Sequence, residues 1–187
     1  MKKEKEIIRS IINGNEKAFA SLYDFYSEKV YSTALSYTKN VEEAEEITQD
    51  VFVKVYQSAA KFKGDSTLNT WIYRITVNTS LNYIKKKNRF TLFKAMKINT
   101  TPIDFQHPGV LLENKENAAM LYKVMDCLPD TQKTAFVLSY IEHLPRQEVA
   151  DIMKTSLKAV ESLLQRGKKK MRIELEKSYP HRRNFKN

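Results

Sequence analysis

Helix-breaking residues are scarce in this chain, which has 4 glycines and 5 prolines among its 187 residues. Glycine and proline are the residues least compatible with a helix interior, so long helical segments can run between them. Over most of the chain, apolar residues recur at intervals of three and four, and continuous strand-like alternation is not evident. The sequence therefore predicts an all-α protein.

The helical periodicity falls into two blocks. Between them the sequence changes character, because residues 99–109 contain two prolines and a glycine and have no helical rhythm. We therefore expect two helical domains, at 1–89 and 113–178, joined by a flexible linker at 90–112 and followed by a basic tail at 179–187. The expected helices span about residues 3–12, 15–38, 41–61, 68–87, 113–127, 130–142, 145–153 and 156–177.

The charge balance favours an anionic partner. The formal net charge is +10, and the predicted pI is about 9.5. Both blocks share this excess: residues 1–90 hold 15 basic and 11 acidic side chains, and residues 113–187 hold 15 and 10. DNA or RNA is therefore favoured as a partner in each half, with a membrane surface or simple solubility as the alternatives.

Several classes of protein are disfavoured. No stretch approaches the roughly 20 apolar residues of a membrane span, and the basic N-terminus lacks the apolar core and cleavage site of a signal peptide. Cys127 is the single cysteine, so no intrachain disulfide can form, and we expect a reducing cytoplasm. The histidines, His107, His143 and His181, are scattered, and no metal-ligand cluster, nucleotide loop or nucleophile motif is present. We therefore expect no enzyme and predict no catalytic residue, metal or cofactor.

An acidic helix is expected near the middle of the first block. Its apolar residues, Ala44, Ile47, Val51 and Val55, follow helical spacing and should face the core, which leaves its carboxylates exposed. Those carboxylates belong to Glu42, Glu43, Glu45, Glu46 and Asp50. One interpretation is favourable placement of acids at a helix N-terminus; the other is a docking surface for a basic protein partner.

The next helix carries a mixed polar and aromatic face. On a helical projection, five side chains cluster within about 80°: Trp71, Arg74, Asn78, Asn82 and Lys85. An aromatic ring, amides and cations together suit a separated DNA strand, and the polar loop 63–69 could hold an extruded base. The alternative is that the tryptophan belongs to the core and that the lysines form an ordinary cationic helix end.

The second block ends in a pattern typical of a helix-turn-helix. Pro145 suits a first helical turn, and Ser156 can cap the helix that follows. That last helix has an apolar stripe and an opposite polar face of Lys158, Glu161, Ser162, Gln165, Lys169 and Arg172. Such a helix can lie in a major groove, with its basic end on phosphates. A basic helical hairpin that binds no DNA is the alternative.

These segments resemble a known family. Residues 45–52, Glu-Glu-Ile-Thr-Gln-Asp-Val-Phe, resemble the signature of region two of bacterial RNA polymerase sigma factors. Residues 62–66 and 70–75, with Asn78, are similar to the part of extracytoplasmic-function (ECF) sigma factors that melts and reads the minus-ten element. Leu128-Pro129 and the helix-turn-helix resemble region four. The three motifs occur in order, and the chain thus resembles the ECF subfamily of the sigma-70 family.

The resemblance implies a role for three groups of residues. Core polymerase would be contacted by Glu45, Glu46, Gln49, Asp50 and Phe52. The minus-ten strand would be held by Gly64, Asp65, Ser66, Thr67, Leu68, Trp71, Arg74, Asn78, Asn82 and Lys85. The minus-thirty-five element would be contacted by Lys158, Glu161, Ser162, Gln165, Arg166 and Lys169.

The resemblance also implies partners and a function. The partners would be core RNA polymerase, through the clamp helices of its largest subunit and its flap, together with promoter DNA and an anti-sigma factor; no membrane insertion is implied. The function would be promoter-specific transcription initiation in the cytoplasm. The alternative is a helix-turn-helix transcription factor that binds duplex DNA without polymerase, which does not explain the acidic helix. Lys154 departs from the family, which often has glycine there, and costs about 1 kcal/mol more than glycine if its φ is positive.

Overall fold

The structure, a computed structural model, describes residues 2–94 and 115–178. The described residues form helices joined by short turns, and this confirms the all-α prediction. None of the described helices is both long enough and apolar enough to cross a membrane. The chain divides into two compact units, Met1–Phe105 and Gln106–Asn187.

Four α-helices form the described part of the first unit. They are α1 (Lys2–Ile12), α2 (Glu16–Thr38), α3 (Val41–Ser58), which continues into a 3₁₀ turn at Ala59–Lys61, and α4 (Leu68–Lys94). Side-chain caps fix two of their starts: Asn15 Oδ1 accepts from the Ala18 N–H at 3.1 Å, and Asn40 Oδ1 accepts from the Glu43 N–H at 2.8 Å. These caps satisfy N–H groups that have no partner inside the helix.

The core of the first unit lies where α2, α3 and α4 pack against one another and α1 covers one end. Ala44, Ile47, Val51 and Val55 are all fully buried there, as their spacing predicts. On α4, the hydroxyls of buried Thr76 and Ser80 donate to the carbonyls four residues earlier, at 2.9 Å each. Because α4 packs on both α2 and α3, only one side of it remains for a partner.

The second unit contains α5 (Lys115–Met125), α6 (Asp130–Phe136), α7 (Arg146–Met153) and α8 (Leu157–Ser178). A π-helical turn at Val137–Ile141 follows α6, where the sequence predicted one continuous α-helix. The turn between α7 and α8 places Lys154 in the left-handed region, with φ 52° and ψ 49°. Lysine therefore adopts the conformation that favours glycine, at the cost expected from its Cβ.

The end of α4 corrects one sequence prediction. The helix was expected to stop near Lys87, but it continues to Lys94, so residues 90–94 are helical rather than part of a linker. No glycine or proline stands between Lys87 and Lys94 to end the helix. The rest of the expected linker, residues 95–112, and the expected tail at 179–187 lie outside the described residues.

Candidate protein and nucleic-acid interfaces

Helix α3 exposes four of the five residues that were predicted to contact core polymerase. Glu45, Glu46, Gln49 and Asp50 all lie on the surface. Phe52 does not: it is 3% exposed, and its ring lies 4.6 Å from the ring of Tyr23 and 6.4 Å from that of Phe19. The prediction that Phe52 contacts polymerase directly is therefore wrong, because its side chain is buried in the core behind the acidic face of α3.

Two bonds tie the acidic face to α4. The Tyr83 hydroxyl donates to Glu46 Oε2 at 2.9 Å, and the Lys87 ammonium pairs with Glu43 Oε1. Burial raises the pKa of Tyr83 to about 12, together with the hydrogen bond to Glu46 and the charges of Glu43, Glu46 and Asp50. The phenol stays protonated across the physiological range and acts as a donor to the carboxylate.

Exposed aromatic and aliphatic side chains beside the acidic face were missed by sequence reasoning. Tyr23 is 42% exposed, Val53 52% and Tyr56 54%. On one side of Tyr23 a groove of about 420 Å³ is lined by Glu28, Tyr31, Glu45 and Gln49, among others. Sequence reasoning considered only the charged residues on this side of α3 and gave no role to the apolar side chains beside them. A partner at this face would meet apolar rings as well as carboxylates.

The loop before α4 is held by hydrogen bonds. Gly64 has φ +76°, the left-handed region open to glycine. The Thr67 hydroxyl oxygen accepts from the Thr70 N–H at 3.1 Å and so caps α4, and Arg74 Nη1 donates to Ser66 Oγ at 3.4 Å. Asp65 and Thr67 are exposed and Ser66 is half-buried.

Leu68 corrects another expected contact. It is 3% exposed and belongs to the core cluster of the first unit. Its side chain therefore anchors the loop and is not available to a base. Gly64 is also buried, so the surface of this loop is provided by the three residues between them.

The mixed face of α4 is present as its spacing predicts. Asn78, Asn82 and Lys85 are exposed, and Arg74 is half-buried. Trp71 is half-buried as well: it packs on the core, and its ring lies 5.2 Å from the ring of Phe62. The core interpretation of the tryptophan therefore holds for one portion of the ring, and a contact between its accessible portion and a DNA strand stays a prediction.

The predicted recognition face of α8 is fully on the surface. All six expected contact residues are exposed: Lys158, Glu161, Ser162, Gln165, Arg166 and Lys169. The opposite stripe is buried, with Val160 at 0% and Leu164 at 2%. Ser156 Oγ accepts from the Ala159 N–H at 3.2 Å, which confirms the predicted cap. A short helix, a tight turn and a longer basic helix are the parts of a helix-turn-helix.

A cationic cluster beside α8 carried no signal in the sequence. Lys168 Nζ lies 4.8 Å above the Tyr140 ring, and Arg146 Nη2 donates to the Tyr140 hydroxyl at 3.4 Å. Burial alone would raise the pKa of Tyr140, but the hydrogen bonds and charges of Lys168 and Arg146 lower it below its usual value. This cluster joins the π-helical turn to both helices of the helix-turn-helix. Within the described residues, no group of three or more His, Cys, Asp and Glu could hold a metal ion.

Comparisons with known proteins identify both units. The family model "Sigma-70 region 2" matches residues 22–90, and "Sigma-70, region 4" matches residues 118–171. The chain is similar to the ECF RNA polymerase sigma factor SigW of Bacillus subtilis, at 29% identity over 91% of this chain and 96% of that protein. It is also similar to the ECF RNA polymerase sigma-E factor of Escherichia coli K12, at 26% identity over 88% and 90%.

The chain belongs to the ECF sigma factors of the sigma-70 family. The fold of this sigma factor is also found in two solved structures. CnrH, solved in complex with the cytosolic domain of CnrY, matches with a TM-score of 0.68 at 19% identity over 92% of this chain and 97% of that one. RpoE of Bartonella quintana, solved with the anti-sigma factor NepR, matches with a TM-score of 0.67 at 18% identity over 86% and 98%.

Proposed function

We propose that this ECF sigma factor binds core RNA polymerase through the acidic face of α3 and reads two promoter elements, one with each unit. The observation that supports this most is the presence of both sigma-70 regions in order, each with an exposed polar or charged face of its own. The sigma factor has no chemistry of its own in this scheme: it positions polymerase and DNA, and polymerase catalyses synthesis.

Polymerase docks on the carboxylates of Glu45, Glu46 and Asp50 and on the amide of Gln49. Their partners are the clamp helices of the largest subunit, and cationic side chains there would complement the carboxylates. Charge complementarity mainly sets the association rate and the register of a complex. Apolar and aromatic side chains that become buried in the interface supply most of the affinity. We therefore include Tyr23, Val53 and Tyr56 in the docking surface, since all three are exposed beside the acids.

The minus-ten element is captured as a separated strand by the loop before α4 and by the mixed face of α4. Asp65, Ser66 and Thr67 surround an extruded base, while Trp71 provides a stacking surface next to them. Arg74, Asn78, Asn82 and Lys85 then follow the strand along the helix, with amides on base edges and cations on phosphates. Capture of the unpaired strand favours promoter opening, because paired duplex DNA has no extruded base that could enter this pocket.

The minus-thirty-five element is read in the major groove by α8. Its N-terminal half brings Lys158, Glu161 and Ser162 to base edges, and Gln165, Arg166 and Lys169 extend along the groove toward phosphates. Core polymerase binds a second surface of this unit with its flap and fixes the spacing of the two DNA sites. Two weak sites joined at a set separation bind as one strong site, because the second contact is made at a high effective concentration.

Regulation is assigned to a separate partner, an anti-sigma factor that covers the polymerase and DNA surfaces. The NepR complex of the Bartonella quintana sigma factor is a precedent for such a partner in a protein of this fold. We propose the bacterial cytoplasm as its location, because the proposed partners, core polymerase and promoter DNA, act there.

A pull-down with purified core RNA polymerase, followed by transcription from a pool of genomic promoters, tests the proposal. We expect stoichiometric binding and new transcripts that start at promoters sharing two sequence elements. Failure to bind core polymerase, together with selective binding of duplex DNA by the protein alone, would replace the proposal with the ordinary transcription factor considered above.

A further inference from the structure

Helix α1 reaches the loop that precedes α4. The loop lies within a region matched by the family models, whereas α1 lies outside both of them. The Leu68 N–H donates to Glu4 Oε1 at 3.1 Å, across 64 positions of sequence. Ile8 and Ile11 fix α1 to the core, where they are 2% and 1% exposed. The acid is therefore delivered to the start of α4 by a packed helix rather than by a loose terminus.

The carboxylate occupies a position that α4 does not fill from its own sequence. The first turn of α4 contains no acidic residue. An acid at that place satisfies a free N–H and interacts favourably with the positive end of the helix dipole. Thr67 caps the Thr70 N–H and Glu4 caps the Leu68 N–H, so the two caps satisfy different N–H groups in the first turn of the same helix.

Lys5, the residue after Glu4, contacts the other end of the loop at Gly64. Lys5 lies over Gly64 so closely that a Cβ on the glycine would overlap Lys5 Cε and lie 2.9 Å from Lys5 Nζ. Glu4 thus bonds to one end of the loop, at Leu68, and Lys5 covers the other end, at Gly64. Asp65, Ser66 and Thr67 lie between these two contacts.

We propose that α1 positions the minus-ten loop through Glu4 and Lys5, so that the pocket for the extruded base is already formed before DNA arrives. This inference rests on the proposed role of the loop. A pocket that is ordered in advance avoids the entropic cost of ordering it on binding, and strand affinity therefore depends on these two residues. Both are positioning residues, because they act on the loop and not on the base.

The test compares Glu4→Ala with Glu6→Ala, which removes the same charge from an exposed position on the same helix. Each full-length variant is bound to core polymerase and titrated with a fluorescent single strand carrying the minus-ten sequence found by the transcription experiment, and with a scrambled strand. We expect Glu4→Ala to weaken binding of the minus-ten strand about fivefold, the equivalent of losing one helix cap, with core affinity unchanged. Glu4→Gln keeps an oxygen acceptor and should recover part of the loss, and Glu6→Ala should match the parent.

Amide hydrogen exchange separates positioning from stability. In Glu4→Ala, exchange should accelerate at Leu68 to Thr70 and stay unchanged at Ile72 and Val77 in the core. Equal strand affinity in the two alanine variants would overturn the inference, as would an equal loss of core and strand affinity. If the parent complex does not prefer the minus-ten strand to the scrambled one, the proposed role of the loop fails, and the positioning role falls with it.

Discussion

The hydroxyl of Tyr83 on α4 donates to a carboxylate oxygen of Glu46 on α3, 2.9 Å away. Glu46 belongs to the proposed polymerase-binding face, and α4 carries the proposed minus-ten face. The bond therefore links the two surfaces within one rigid unit. It also limits the rotamers of Glu46, so that its charge is held in place before polymerase binds.

Tyr83→Phe isolates the contribution of this bond to stability. The variant should unfold about 1 kcal/mol more easily near neutral pH, because the hydrogen bond to the carboxylate is lost. The folded pKa of Tyr83 is raised from 10.0 to about 12, so the folded state holds this proton more tightly than the unfolded state. The parent should therefore lose stability as the pH rises through that interval, and the variant should lose less. Urea unfolding of both proteins across this range measures the difference, and parallel pH profiles would contradict it.

Charge reversal on α3 should disrupt polymerase binding. Glu46→Lys with Asp50→Lys replaces complementary charges by like charges, and we expect core affinity to fall at least about tenfold. Fluorescence anisotropy with labelled sigma factor measures the dissociation constant. Glu6→Lys with Glu176→Lys makes the same change in net charge at exposed positions on other helices, α1 and α8, and should leave core affinity unaltered. An unchanged constant in the first variant would refute the docking assignment.

Promoter opening should depend on the mixed face of α4. Arg74→Ala with Asn78→Ala should spare core binding but reduce open-complex formation, because a phosphate contact and a base-edge contact are both removed. Permanganate reactivity of unpaired promoter thymines reports the open complex. Asn88→Ala with Arg89→Ala deletes the same residue types from exposed positions farther along the helix and serves as the control. Equal reactivity in both variants would count against this face.

A single substitution in the turn of the helix-turn-helix should raise the free energy of unfolding. Lys154 has φ 52°, so Lys154→Gly removes the strain of an L-residue in the left-handed region. The strain relieved exceeds the extra chain entropy of glycine, and we expect a net stabilisation of about 0.5 to 1 kcal/mol. Lys170→Gly introduces glycine within α8 and should instead destabilise by about 1 kcal/mol. Chemical denaturation of both variants measures these opposite signs; a loss of stability in Lys154→Gly would disprove the strain.

Gly64→Ala should be harmful for two reasons that can be separated. A Cβ would meet the end of the flexible Lys5 side chain, and the residue would be strained at φ +76° whatever space it has. We expect a loss of about 1 to 2 kcal/mol in unfolding free energy. Lys5→Ala with Gly64→Ala removes the collision and should recover only part of the loss, whereas full recovery would show that backbone strain contributes nothing.

Sequence reasoning succeeded where the cause is local. The predicted cap at Ser156 is present because its side chain reaches an N–H three residues ahead, and this depends on no other part of the chain. Apolar spacing likewise placed Val51 and Val160 in the cores, since each helix buries one stripe.

It failed where a residue from another helix decides the outcome. Phe52 is buried because the rings of Phe19 and Tyr23 lie against it, and no spacing within α3 reveals these neighbours. The resemblance implied that Leu68 contacts the minus-ten strand, but its side chain packs in the core. The cap by Glu4 was not foreseen, because it joins residues 64 positions apart.

The 64 positions between Glu4 and Leu68 also decide when their contact can form during synthesis. Glu4 is synthesised 64 residues before Leu68, so at about 5 to 20 residues per second the hydrogen bond between them cannot form for roughly 3 to 13 seconds. During that interval α1 cannot yet contact the start of α4, and the proposed base pocket cannot form on the nascent chain. The proposed minus-ten loop of this sigma factor can therefore be fixed at Leu68 only after synthesis has passed that residue, well inside the first unit, Met1–Phe105.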